Sequence, residues 1–266
     1  MREWKFGWDL GLAAVLGLVL GSAMGMQAAM VDGGNGAQLI IGADDDHQEN
    51  TDIQGGAAGN QSLNRTDVLD GGRGNDVMFG LNGNDVMDGG PGDDIILGGP
   101  DGGPAPGGVP NSDIMFGGPG NDVNLWAPGD GSEAFIGGPG LDALIFGATD
   151  REDVAGPAGV RLPKLFFGVP EFPQGVATAD VSGLGNFCTV EASPSPGYQF
   201  LVRFHSAATK SIIVTVRVTD VEQVFCTGEN GASIAFADLT LGSPTFVVVS
   251  QPEVAALNPL VGAMIR

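Results

Sequence analysis

The sequence predicts an all-β chain in two parts, and three observations carry that prediction. From Gly71 a nine-residue unit recurs three times, as GGRGNDVMF, GLNGNDVMD and GGPGDDIIL beginning at Gly71, Gly80 and Gly89. Each unit joins a glycine-rich half, which permits cramped turns, to a short apolar half (Val77–Phe79, Val86–Asp88, Ile95–Leu97) that suits a pleated strand. Beyond Gly147 the period vanishes and apolar residues alternate with polar ones, the mark of strands with one buried face. A fixed period is a repeat architecture, and the alternating segment reads as a small antiparallel β-sandwich-like domain or barrel.

A chain of 266 residues can hold one or two domains. Its 46 glycines and 17 prolines would signal disorder in an aperiodic sequence, but here they have a period. The formal charge of −21 excludes nucleic acid as a partner, because phosphate binding needs a basic surface. That charge also sets a folding problem. Carboxylates on neighbouring turns repel one another and expand the chain unless a cation compensates them.

At the N-terminus Arg2 and Lys5 precede an uncharged stretch, residues 10–31, whose most apolar part is residues 12–20. This reads as a secretory signal peptide over residues 1–28, with Ala23 and Gly25 or Ala28 and Ala29 as small residues for cleavage. An uncleaved membrane anchor is the alternative, since the run is about long enough to cross a bilayer and Gly17, Gly21 and Gly25 fall at helix-packing spacing. Both readings put the rest of the chain outside the cytoplasm.

The repeats follow in order. Residues 33–38 have the shape of a unit with Gln38 in place of the carboxylate, and lead into Leu39, Ile40 and Ile41 as a first rung or cap. Asp44, Asp45, Asp46, His47 and Glu49 read as a solvated acidic loop, with a metal site as the alternative. Asp52-Ile53-Gln54 suggests an irregular turn, after which Asp67, Asp76, Asp85 and Asp94 fall nine apart. Residues 98–106 then put Gly103, Pro104 and Ala105 where a carboxylate and a strand belong; proline removes a ladder donor, so this rung is expected to loop out. The series resumes at Asp113 with one extra residue, continues at Asp122, stretches by two to Glu133 and ends at Asp142.

This pattern, G-G-x-G-x-D followed by a short apolar run, resembles the calcium-binding nonapeptide of RTX (haemolysin-type) proteins. The resemblance implies a parallel β-roll over residues 33–147, with alternate turns on opposite edges and calcium between carboxylate-bearing loops two repeats apart. The ligands it implies are Asp67, Asp76, Asp85, Asp94, Asp113, Asp122, Glu133 and Asp142. Backbone carbonyls near Gly72, Gly74, Gly83, Gly90, Gly92, Gly118, Gly120, Gly138 and Gly140 would join them. Calcium takes about six to eight oxygens, whereas magnesium demands a compact octahedron and suits such loops poorly. Asx-turns made by the same aspartates are the competing reading. With residues 98–106 counted as a rung, one edge holds Asp67, Asp85, Gly103, Asp122 and Asp142, and the other holds Asp76, Asp94, Asp113 and Glu133. Many RTX proteins are exported by a C-terminal signal, and the N-terminal one here departs from that pattern. Extracellular calcium is abundant, so affinities of about 10⁻⁴ to 10⁻³ M would suffice.

The middle residue of each short strand is expected to point inward: Leu69, Met78, Met87, Ile96, Met115, Phe135 and Leu144, with Asn124 breaking the row. The flanking residues should face out. On one sheet they include Val68, Asp70, Val86 and Asp88; on the other, Val77, Phe79, Ile95, Leu97, Ile114, Phe116, Ala134 and Ile136, a wholly apolar face. Soluble monomers seldom expose such a face, so it is expected to be covered by the C-terminal domain or by self-association with another copy.

For the C-terminal domain, residues 157–266, strands are predicted at 200–205, 212–219, 221–226, 233–239 and 245–250, separated by turns such as Glu229-Asn230-Gly231 and Gly242-Ser243-Pro244. Cys188 and Cys226, the only cysteines, are expected to form a disulfide in an exported chain, with buried free thiols as the alternative.

Catalytic motifs are missing from the sequence. It has two histidines, His47 and His205, no HExxH helix and no GxSxG elbow. The expectation is therefore a secreted calcium-binding structural or surface protein rather than an enzyme. An adhesion module whose C-terminal domain binds a glycan or cell surface is the first alternative, and a secreted hydrolase on the same scaffold is the second.

Overall fold

The structure, a computed structural model, describes residues 30–32, 36, 39–41, 68–80, 84–99, 112–153, 161–182 and 185–266. The signal peptide, Gln38, the acidic loop around His47, Asp52, Asp67, Gly83 and Gly103 lie outside these residues.

The apolar triplets form the strands expected of them. They are β1 (Met30–Asp32), β2 (Leu39–Ile41), β3 (Val68–Asp70), β4 (Val77–Phe79), β5 (Val86–Asp88), β6 (Ile95–Leu97), β7 (Ile114–Phe116), β8 (Val123–Trp126), β9 (Ala134–Ile136) and β10 (Ala143–Phe146). Successive strands fall in opposite sheets. One sheet runs β1-β3-β5-β7-β9 and the other β2-β4-β6-β8-β10, all parallel. A period-two pleat gives a three-residue strand one inward side chain, and Leu69, Met78, Met87, Ile96, Met115, Phe135 and Leu144 are all fully buried in one core between the sheets. Asn124 is buried in the same row, where its Nδ2 donates to Met115 Sδ at 2.8 Å.

The observed pairing corrects the rung count. β5 pairs directly with β7, as Val86 with Ile114, and β6 pairs with β8, as Ile95 with Val123. Among the described residues no strand stands between β5 and β7 or between β6 and β8, so every rung after the one counted at 98–106 moves to the other edge. The eight-residue apolar face is split for the same reason. Val77, Phe79, Ile95 and Leu97 share their sheet with Val123, Leu125, Ala143 and Ile145. Ile114, Phe116, Ala134 and Ile136 belong to the opposite sheet, where Ile114 is 40% and Phe116 36% exposed.

The C-terminal strands continue these same two sheets. The long elements are β17 (Asn186–Ala192), β18 (Phe200–Ser206), β19 (Ile212–Thr219), β20 (Gln223–Thr227), β21 (Ile234–Asp238) and β22 (Val247–Val249). β19 lies parallel beside β9 and β20 parallel beside β10; β18 and β17, then β21 and β22, extend each sheet antiparallel. The inner core runs through without a break, with Val202, Phe204, Val214, Val216, Val218 and Val224 joining the roll's row. Trp126, Phe146 and Phe204 meet at the junction with ring centroids 5.0 to 5.3 Å apart. The disulfide Cys188–Cys226 joins β17 to β20 and so ties one sheet to the other.

Between β10 and β17 the chain makes short pieces: β11 (Ala148–Thr149) with β16 (Ala179–Asp180), β12 (Arg151–Asp153) with β13 (Arg161–Pro163), and β14 (Leu165–Phe166) with β15 (Val176–Ala177). Two short helices, α1 (Gln251–Leu257) and α2 (Pro259–Met264), close the chain. α1 begins with a capping box in which Ser250 N–H donates to Glu253 Oε2 at 2.7 Å. Phe172, Val176, Ala177, Ala179 and Val181, with Val254, Val261, Met264 and Ile265, form a second core on the outer face of the β4-β6-β8-β10 sheet. Each large side chain buried there contributes about 1.5–3 kcal/mol. The apolar face of that sheet is thus covered by the chain's own C-terminal half.

Candidate metal centre

Because strands alternate between sheets, the turns that join them form two stacks. The turns entering β4, β6, β8 and β10 carry Asp76, Asp94, Asp122 and Asp142 on one edge; those entering β5, β7 and β9 carry Asp85, Asp113 and Glu133 on the other. Of the eight predicted carboxylates, the seven described are all buried, at 0–1% exposure. The partition into edges differs from the sequence count because of the rung correction above.

Asp94, Asp122, Asp142 and Asp113 each reach back to the preceding turn of their own stack. Asp76 N–H donates to Asp94 Oδ1 at 2.7 Å, Asp94 N–H to Asp122 Oδ1 at 2.8 Å and Asp122 N–H to Asp142 Oδ1 at 2.8 Å. On the other edge Asp85 N–H donates to Asp113 Oδ1 at 2.7 Å. The neighbouring position makes a second ladder in the opposite sense, with Asn75 Oδ1 accepting from Asp93 N–H, Asp93 Oδ1 from Asn121 N–H and Asn121 Oδ1 from Leu141 N–H. One oxygen of Asp94, Asp113, Asp122 and Asp142 is thereby committed to the stack.

The other oxygen faces the first glycine of its turn. Asp94 Oδ2 and the Gly117 carbonyl converge where a Cβ on Gly89 would sit; Asp122 Oδ2 and the Gly137 carbonyl converge in the same way at Gly117. Asp76 Oδ2 meets the Gly89 carbonyl at Gly71, and Asp85 Oδ2 meets the Gly98 carbonyl at Gly80. A carboxylate oxygen and a carbonyl oxygen therefore meet at turn after turn in a hollow that only glycine leaves open. Ligand carbonyls are expected from the sequence near Gly72, Gly74, Gly90, Gly92, Gly118 and Gly120; the carbonyls of these glycines lie against the matching glycine of the next turn, and those that meet a carboxylate oxygen belong to Gly89, Gly98, Gly117 and Gly137. Gly89, Gly117 and Gly137 directly precede the named Gly90, Gly118 and Gly138, whereas Gly98 adjoins none of the glycines named from the sequence.

The Oδ2 atoms of Asp94, Asp113, Asp122 and Asp142 are buried with no hydrogen-bond partner. A buried, under-satisfied carboxylate is costly, and burial is the main reason these groups titrate high: Asp94 at about 8, Asp122 at about 9, and Asp113 and Asp142 at about 7, against an ordinary 3.8. Neighbouring carboxylates raise Asp94, Asp122 and Asp142 further. Among the described residues no three His, Cys, Asp or Glu side chains gather around one ion position. The donor set is therefore all oxygen and partly main chain, which is the chemistry of a hard divalent ion such as calcium rather than zinc. The residues present fit calcium, held by an aspartate Oδ2 and the facing glycine carbonyl.

Comparison with known proteins agrees with this chemistry. The family model for the RTX calcium-binding nonapeptide repeat matches in four copies, over residues 63–99 and 108–123, so this stretch consists of RTX repeats. No curated protein and no solved structure matches the chain.

Proposed function

We propose that this is an exported structural or surface protein whose roll is folded by calcium and which catalyses no reaction. The single observation that carries the reading is the row of buried Oδ2 atoms of Asp94, Asp122 and Asp142, which lack a hydrogen-bond donor and each lie opposite a backbone carbonyl in a hollow left by glycine. A calcium ion supplies the positive charge and oxygen coordination that such groups need. The chain's own residues do the rest. Oδ1 of each aspartate fixes the spacing of successive turns, Oδ2 presents the charge, and the paired glycine carbonyls complete the donor set. Neighbouring rungs share ligands, so folding and binding are expected to be cooperative. Export is supported by the N-terminal signal pattern and by the RTX repeats, which are typical of secreted proteins. A non-catalytic role is supported by the use of the buried ladder aspartates in holding turn to turn. His205, hydrogen-bonded to Thr189 and stacked on Phe187, has its own structural setting.

Calcium titration of the full chain and of Asp94→Ala, followed by calorimetry and circular dichroism, tests this. The variant is expected to lose at least one site and to need more calcium for folding. A variant that binds the same number of ions with the parent's affinity would falsify the ligand assignment. The mass of the protein recovered from the culture medium tests export, and retention of the whole chain in the cytoplasm contradicts it.

A further inference from the structure

The stack of turns on the Asp76 edge does not end with the repeats. β19 belongs to the same sheet as β9 and β20 to the same sheet as β10, so the end of β19 and residues 220–222, which link the two strands, cross between the sheets as the repeat turns do. They lie directly on the last glycine turn, where Gly137 N–H donates to Thr219 O at 3.1 Å and Gly138 N–H to Asp220 O at 3.2 Å. The register Ala143 with Gln223 sets Glu222 beside Asp142. Asp142 N–H donates to Glu222 Oε2 at 2.8 Å, the bond by which every earlier carboxylate on this edge holds its predecessor. The second half of the pattern is also present. Asp142 Oδ2, fully buried and with no donor, meets the Asp220 carbonyl at the point where a Cβ on Gly137 would sit. Asp220 takes the left-handed backbone at φ 49° and stands where the repeat has a glycine. The link is shorter than a repeat turn, and glutamate, one methylene longer than aspartate, makes up the reach.

We propose that a calcium site lies between the last repeat turn and this link, held by Asp142 Oδ2, the Glu222 carboxylate and the Asp220 carbonyl, and that it bonds the roll to the C-terminal strands. The inference rests on the calcium reading of the roll and extends it to two residues outside any repeat. On the opposite edge the equivalent position beside Glu133 is the apolar Val216, as the register Ala134 with Arg217 requires, so that stack closes without such a site. The extra site belongs to one edge only.

Calcium binding by the full chain, measured by isothermal titration with calcium chloride, tests it, with Glu222→Gln compared against the parent and against Glu229→Gln, an exposed carboxylate in the turn after β20. Glutamine keeps an oxygen for the Asp142 amide but removes the charge. Glu222→Gln is therefore expected to bind one ion fewer per chain with the other sites unchanged, while Glu229→Gln binds as the parent does. Parental stoichiometry and affinities in Glu222→Gln overturn the terminal site and leave the roll's own sites standing, whereas a parent that binds no calcium overturns both. If Glu222→Gln does not fold at saturating calcium, Glu222→Asp decides: its shorter carboxylate should weaken one site by at least about tenfold, and affinities unchanged at every site overturn the proposal.

Discussion

The two halves of this molecule share two sheets and one core but are held together differently. From β3 to β10 the strands are three or four residues long and each contributes essentially one inward side chain, so neighbouring rungs depend on stacked glycine turns and buried carboxylates. From β17 to β21 the strands run five to eight residues, bury alternating rows of valine and phenylalanine, and are crossed by a disulfide. Short strands leave most of the roll's polar chemistry in its turns, where like charges face one another. On the proposed calcium reading the roll's stability is conditional on a cation, while the C-terminal half rests on longer strands, a packed core and a disulfide.

Changing pH in the absence of calcium should separate the halves most widely. An acid whose folded-state pKa lies above its unfolded value of 3.8 is protonated more readily in the fold, so the fold is favoured at low pH and loses stability as the pH rises through the folded values. Those values are about 7 for Asp113 and Asp142, 8 for Asp94 and 9 for Asp122. A chelated sample is expected to gain β-structure on acidification from pH 9 to pH 4, and calcium affinity to rise over the same range in the opposite direction. Circular dichroism that is flat across this range would contradict the burial of charge in the turns.

Next in size is the disulfide. Replacing Cys188 and Cys226 by serine opens a loop closed across a sequence separation of 38, which should cost about 4 kcal/mol. Denaturant unfolding should record that loss while titration finds the calcium stoichiometry unchanged; a fall in stoichiometry would show that the halves are not separable in this way. The glycines sharpen the contrast further. Gly92 has φ +156°, and a Cβ there would overlap the Gly74 carbonyl of the turn below, so Gly92→Ala should destabilise by on the order of 3 kcal/mol. Gly231 has φ +71° with open space around it, and Gly231→Ala should cost only about 1 kcal/mol. Equal shifts in the two melting curves would deny the roll's dependence on tight stacking.

Much of this was legible in the sequence where the signal was local. The period fixed the strands and the inward row from Leu69 to Leu144, because a three-residue strand admits one inward position, and the acid of each unit was found buried where its turn requires. What escaped was non-local. Nothing between Asp94 and Asp113 says whether a proline-bearing unit keeps a place in the sheet, and one rung miscounted moves every later carboxylate to the other edge. Glu222 and Asp220 belong to no repeat and join the stack only because β19 and β20 return to the roll from far along the chain. The covering helices had a readable start in Ser250-x-x-Glu253, a capping-box spacing, but their apolar residues were too few to reveal which face they cover.

The central claim is that metal binding is what makes the buried acidic stacks tolerable, and thermal melting of the full chain in a chelator, then after calcium is restored, tests it most directly. The account predicts a lower melting temperature and weaker β-signal in the chelator, both recovered on adding calcium but not magnesium. Identical melting curves in the two conditions would contradict it.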